Sequence, residues 1–223
     1  MVEEEPGGRI ALPDGALVSR RRALASVLPV VMTGMTGLLP GGARAAVQSA
    51  DFWARPRYVR VARPWVREEV AVVYWESGRL IQEGYQRLSW ILRDVRLQRR
   101  VQSLQAQGKR VPSDWHYAVG MSVTLLDILY AIGGWLDIFG LPQTVYLTDG
   151  SSGYRNRVTN GQTEGAALNS RHIAGGAADI RIPGVSPASV AEFGLWLRAG
   201  GVGFYPSHGF THVDDGGLRF WRG

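Results

Sequence analysis

The sequence has no cysteine and, among its 25 basic residues, a single lysine, Lys109. The first absence excludes disulfides and thiolate metal sites but leaves the compartment open. The second makes arginine the carrier of positive charge. Long apolar runs are also scarce. The stretch 23–39 is interrupted by Pro29, Gly34 and Gly37, and it falls short of the ~20 residues that span a bilayer. A second apolar stretch, 117–139, carries Asp127 and Asp137, which argue against a span. Histidine is rare too, with only His116, His172, His208 and His212.

What is present fits a globular chain. At 223 residues, 45% hydrophobic and 20% charged, it can bury one core. Its 29 glycines point to irregular loops. A net charge of +6 suits an anionic polymer, anionic lipid or nucleic acid. The arginines are scattered through the sequence, with no basic stripe interleaved with aromatics, which argues against nucleic acid. Ser19-Arg20-Arg21-Arg22 precedes the first apolar run, and Ala43-Arg44-Ala45 follows it. That layout predicts a twin-arginine-type export signal over 1–45, and hence a periplasmic protein. Membrane contact would then come only through an uncleaved signal.

Residues 46–69 read as a linker or extended arm, and 70–223 as the functional domain. Strands are expected at 69–75 and 80–85, joined by the 76–79 turn. Leu88, Ile91, Leu92 and Val95 follow helical spacing, and 98–109 reads as polar surface. A helix is expected over 117–139, ended by Gly140-Leu141-Pro142. Strands are expected at 144–148, 178–182, 203–205 and 210–214, and a helix from Ser186 toward Gly200. Residues 156–171 read as a long loop of the kind that carries function. The class is α+β, with helices on a central antiparallel sheet.

The chemistry gathers in the last quarter. His172, Asp179 and His212 form a set of two imidazoles and one carboxylate, which leaves a zinc position open for water. In a strand, His212 and Asp214 share a face about 7 Å apart. Asp214 is therefore placed to orient a ligand or to handle a proton. Asp179 lies among Ala177, Ala178 and Ile180 and needs a partner; a metal or Arg181 could supply one. His208, in a turn, is a second proton-handling candidate. Arg155 can hold a carboxylate or carbonyl with its forked donors. His116 reads as structural.

Taken together, Ser152-Gly153-Tyr154-Arg155 with Thr159-Asn160, then Ser170-x-His172-x-x-Gly175-x-Ala177-x-Asp179, then Gly201–Pro206 with Phe210-x-His212-x-Asp214, and the closing Arg219-x-Trp221 resemble the exported zinc murein endopeptidases of the endopeptidase K type. Tyr74-Trp75, Gly78 and Leu92-Arg93-Asp94 fit as well. This family is related to the D-alanyl-D-alanine metallopeptidases. The resemblance implies a hedgehog/DD-peptidase fold with a zinc cleft, and one zinc ion on His172, Asp179 and His212. It further implies cleavage of peptide cross-bridges in peptidoglycan, with Tyr154, Arg155 and Asn160 on the substrate side. Two alternatives stay open: a carboxypeptidase trimming terminal D-Ala, and a non-catalytic peptidoglycan-binding module. The wider superfamily often has a glutamate base three residues before the last histidine, where this chain has Gly209. Asp214 and His208 are the catalytic candidates, and strand geometry favours Asp214.

Overall fold

A computed structural model describes residues 41–223. Most of the expected export signal lies outside these described residues. Its Ala43-Arg44-Ala45 motif falls within a helix, α1 (Gly41–Gln48). After α2 (Ala50–Ala54) come β1 (Arg57–Arg63), β2 (Glu68–Glu76), β3 (Arg79–Leu80), α3 (Gln82–Ile91) and α4 (Val95–Ala106). Then follow α5 (Val123–Ile138), β4 (Thr144–Leu147), α6 (Arg157–Gly161), β5 (Ala177–Arg181), α7 (Pro187–Leu197), β6 (Gly201–Tyr205), β7 (Phe210–Asp214) and β8 (Arg219–Arg222). All eight strands form one sheet, in the order β3-β2-β1-β4-β5-β7-β6-β8.

The sheet is mixed rather than purely antiparallel. β1 runs parallel to β4, and β6 runs parallel to β8. The other junctions are antiparallel. The core lies between the sheet and the apolar α5, which buries Leu125, Leu126, Leu129, Ile132 and Leu136. α7 joins it by stacking Phe193 on Trp135, with ring centroids 4.7 Å apart. Its start is written in the sequence, since Ser186 accepts from Ser189 N–H and Pro187 needs no partner for its nitrogen.

Residues 46–69 are not a linker. α2 places Phe52 against Tyr130 of α5, with centroids 4.5 Å apart. β1 pairs with both β2 and β4, inside the sheet. Arg57 caps this junction by donating to Asp127 Oδ1 at 2.6 Å, and Tyr74 donates to the same oxygen at 2.6 Å. The expected strand at 80–85 is replaced after Leu80 by α3. There Gly84 lets the helix approach β2 closely, because a Cβ would sit 2.0 Å from Val73 O. The polar segment 98–109 is mostly the helix α4, capped by Asp94, which accepts from Leu97 N–H at 3.0 Å. The helix expected over 117–139 begins only at Val123, and β8 was not foreseen.

Candidate metal centre

Strand register sets the site. Asp179 on β5 faces His212 on β7, His212 faces Gly203 on β6, and Gly203 faces Trp221 on β8. His172 comes from the loop before β5. The three ligand candidates lie together and buried. His172 Nε2 is 3.2 Å from His212 Nδ1 and 3.3 Å from Asp179 Oδ2, and His212 Nδ1 is 2.8 Å from Asp179 Oδ1.

The outer nitrogens decide what the inner ones can do. His172 Nδ1 lies 2.6 Å from Gly153 O, an acceptor, so this nitrogen carries hydrogen. His212 Nε2 lies 2.9 Å from Asp214 Oδ2, so it carries hydrogen too. In neutral imidazoles that leaves lone pairs on His172 Nε2 and His212 Nδ1. Two lone pairs and a carboxylate then converge on one point, which only a cation or a proton can reconcile. Tetrahedral zinc at ~2.0–2.1 Å sets its donors about 3.3 Å apart, close to two of the three separations here. Among the described residues no fourth His, Cys, Asp or Glu joins the group. The donors therefore fit a metal with an open position.

The electrostatics agree with a site built for positive charge. Burial alone would raise the Asp179 carboxyl, but His172 and His212 outweigh it and hold it far below the usual carboxylate range. Burial disfavours the His212 imidazolium, yet hydrogen bonds to Asp179 and Asp214 raise its affinity for a proton above the ordinary value.

Asp214, the favoured proton handler, has a defined position. Asp214 is fully buried. Its Oδ2 accepts from His212 Nε2 and, at 2.6 Å, from Arg219 Nη2. Its Oδ1 accepts from Gly216 N–H at 2.7 Å, Gly201 N–H at 3.2 Å and Arg219 Nη1 at 3.2 Å. Burial would raise this carboxyl, but the His212 bond, the Gly216 amide and Arg219 hold it below the usual range. Asp214 thus sits on the outer side of the His212 ring, with both oxygens engaged. An outer carboxylate of this kind fixes a metal-binding histidine in one tautomer. Trp221 supports the same ring: its indole lies 5.1 Å from the His212 imidazole and donates to Tyr205 OH at 2.8 Å. Gly203 makes room, since a Cβ there would meet the indole at 2.6 Å.

The other expected residues take different places. Arg155 is buried and donates from Nη2 to Asp179 Oδ2 at 3.2 Å and from Nε to Ser151 O at 3.3 Å. It, not Arg181, partners Asp179; Arg181 donates to His208 O at 2.6 Å. His208 is exposed on a short 3-10 turn, beside Tyr205 and Phe210. Tyr154 is buried in the core cluster. Buried Asn160 donates to Ala167 O at 3.0 Å and so pins its own loop. His116 is exposed, and its carbonyl accepts from Asn156 Nδ2 at 3.0 Å.

The support for this loop lies far upstream. Leu92 O accepts from Tyr154 N–H at 2.7 Å, and Asp94 Oδ2 accepts from Asn156 N–H at 3.1 Å. Gly153 must be glycine, because a Cβ would sit 2.3 Å from Leu92 O. Arg63, fully buried, donates to Ile91 O at 2.5 Å, Arg93 O at 3.1 Å and Gly150 O at 3.4 Å. Burial, aided by Arg93, pushes its guanidinium down to about 10. Sequence reading missed Arg63 and Arg219. Only Leu92-Arg93-Asp94 and Arg219-x-Trp221 hinted at these supports, as patterns without a role.

Comparison with known proteins agrees with the geometry. Residues 119–221 match the family described as peptidoglycan L,D-endopeptidase MepK. The Escherichia coli K12 protein of that name is 30% identical over 171 residues, covering 75% of this chain and 81% of the relative. The Shigella flexneri protein of that name matches to the same extent. A Haemophilus influenzae protein named as a probable member is 48% identical over 75 residues, 32% of this chain and 40% of the relative. No solved structure matches the chain. With four-fifths of the Escherichia coli relative covered at this identity, and with the site inside the matched region, the chain belongs to the peptidoglycan L,D-endopeptidase MepK family.

Proposed function

We propose that this chain is a zinc-dependent peptidoglycan endopeptidase that hydrolyses an L,D-peptide bond in the cross-links of the cell wall. We assign it a hedgehog/DD-peptidase type of fold and a place in the periplasm, reached through the twin-arginine-type signal over 1–45, with peptidoglycan as its partner. The observation that carries this reading is the convergence of His172 Nε2, His212 Nδ1 and Asp179 on one point, with the outer nitrogens already committed to Gly153 O and Asp214. The named activity of the relatives supplies the bond type.

Zinc held by His172, Asp179 and His212 supplies a Lewis acid and a water of pKa lowered toward ~7. The chain's own residues do the rest. Asp214, clamped by Arg219, keeps His212 in the tautomer that points Nδ1 inward. Arg155 steadies Asp179 through Nη2, and its Nη1 has no partner among the described residues. That free donor sits beside the ligands and suits a carbonyl oxygen gaining negative charge. With Asp214 engaged behind His212, the proton-transfer role passes to His208, whose exposed imidazole lies beside Phe210 on the strand that carries His212.

The test is digestion of defined cross-linked muropeptides, with and without chelator, read by mass spectrometry. Cross-link cleavage that needs metal and disappears in His172→Ala is the expected outcome. Release of terminal D-Ala alone would instead make the chain a carboxypeptidase. Failure to generate any new amine with full metal loading would sink the enzymatic reading.

A further inference from the structure

One basic stretch of the sequence gains aromatic partners only in the fold. Residues 95–110, which comprise α4 and the turn after it, hold Arg96, Arg99, Arg100, Lys109 and Arg110, all exposed, and no acid. Two tryptophans from distant segments fold onto the same helix. Trp65, between β1 and β2, lies 5.1 Å beneath the Arg99 guanidinium. Trp115, beyond α4, lies 4.5 Å beneath that of Arg100. Neither Arg99 nor Arg100 has a carboxylate partner among the described residues; Arg96 is paired with Asp149 at 2.5 Å. Stacking on an indole holds a guanidinium flat and preorganised, while its in-plane N–H donors remain free for a carboxylate.

The strip is also linked to the candidate centre through one turn. Gly150 packs between Arg96 and Trp65, where a Cβ would lie 3.1 Å from Arg96 Cγ and 3.3 Å from Trp65 Cη2. Gly150 O accepts from Val95 N–H at 2.7 Å. The turn that contains Gly150 leads within a few residues to Gly153 and Arg155, which hold His172 and Asp179.

We propose that Arg99 and Arg100, braced by Trp65 and Trp115, form with the exposed Arg110 a docking surface for the carboxylates of the uncut wall polymer. This inference rests on the endopeptidase reading. The stem peptides of peptidoglycan carry carboxylates, and a glycan strand repeats them, so several weak ionic contacts add through multivalency. The chemistry favours this occupant over two others. A nucleic acid needs open aromatic faces for base stacking, but the Trp65 ring is taken by Arg99 and is approached at 5.8 Å by the buried Arg63. A membrane surface favours apolar anchors that insert, whereas each of these indoles carries a guanidinium over its ring. The surface holds the enzyme on the polymer without entering the chemistry.

The experiment compares the wild-type chain with the triple variant Arg99→Gln/Arg100→Gln/Arg110→Gln. Co-sedimentation with insoluble sacculi, under chelation so that nothing is cut, measures retention across a salt series. Cleavage of soluble cross-linked muropeptides is measured separately with metal present. Three lost surface contacts at the strength of exposed ion pairs weaken retention about tenfold at low salt and flatten its salt dependence. kcat/KM on the soluble fragments stays within about twofold, because no variant touches the metal ligands. Retention of the triple variant equal to wild type would overturn the proposal. So would arginine-dependent binding to vesicles of phosphatidylcholine and phosphatidylglycerol with unchanged sacculus retention, which would reassign the strip to lipid. A triple lysine variant at the same positions, keeping charge, recovers most of the retention and shows that misfolding is not the cause. Retention does not require turnover, so a failed endopeptidase assay leaves this result separately readable.

Discussion

Asp214→Asn removes one charge and exchanges one acceptor for a donor at the point where His212 is held. In the native site Asp214 Oδ2 accepts from His212 Nε2 at 2.9 Å and from Arg219 Nη2 at 2.6 Å. Asparagine keeps one oxygen, which the Gly201 and Gly216 amides claim, as they claim Oδ1 now. Its NH2 group then faces His212 Nε2. The imidazole must either accept there and shift its proton to Nδ1, against the metal, or leave a buried donor unsatisfied. Losing an outer-shell carboxylate of this kind costs about 10–100-fold in metal affinity, or roughly 1.4–2.7 kcal/mol. Competition with a calibrated chelator gives the zinc dissociation constant, and substituted cobalt reports the ligand field by its visible absorption. The expected result is weakened binding with kcat largely restored at saturating metal. A variant with unchanged metal affinity and an absorption spectrum like wild type, but with kcat abolished, would refute the orienting role and return Asp214 to proton transfer.

Two further outcomes follow from the same geometry. Because its neighbours raise the proton affinity of His212, metal binding near neutral pH displaces a proton from Nδ1; calorimetry in buffers of different ionisation enthalpy measures this release, and affinity falls as pH drops through the raised value. Arg63→Met leaves the buried carbonyls of Ile91 and Arg93 without this donor and Gly150 O with Val95 N–H alone; denaturant unfolding registers a loss of about 2–4 kcal/mol, and activity falls with the loosened 150–155 turn.

The His172, Asp179 and His212 cluster was legible because its spacing is local chemistry: an imidazole and a carboxylate seven residues apart, then His-x-Asp in alternation. Three strands of the second half were legible for the same reason, since 144–147, 177–181 and 210–214 alternate or run apolar. β1 was not. Its inward positions are Val59, Val61 and Arg63, and a strand that ends by burying an arginine does not look like core until the carbonyls that receive it are known. The segment after Leu80 read as a strand because only the fold reveals that Gly84 is the contact against Val73. The role of Asp214 hung on direction. The sequence put it beside His212, but only Arg219 and the Gly201 and Gly216 amides show that it faces outward from the ligands. The basic strip escaped because Trp65, Arg99 and Trp115 become neighbours only through tertiary structure.

The parallel pairing of β1 with β4 bears on when the enzyme comes into being. Arg60 aligns with Thr144, so this contact closes a loop on the order of 80 residues and must wait for α5 and β4 to be made. Arg63, on that same strand, then braces the turn that holds His172 through Gly153. A ribosome-bound fragment lacking the second half has the brace and no ligands, while the second half alone has ligands and no brace. Competence to cut is therefore a late event in the life of the chain, gated by long-range assembly.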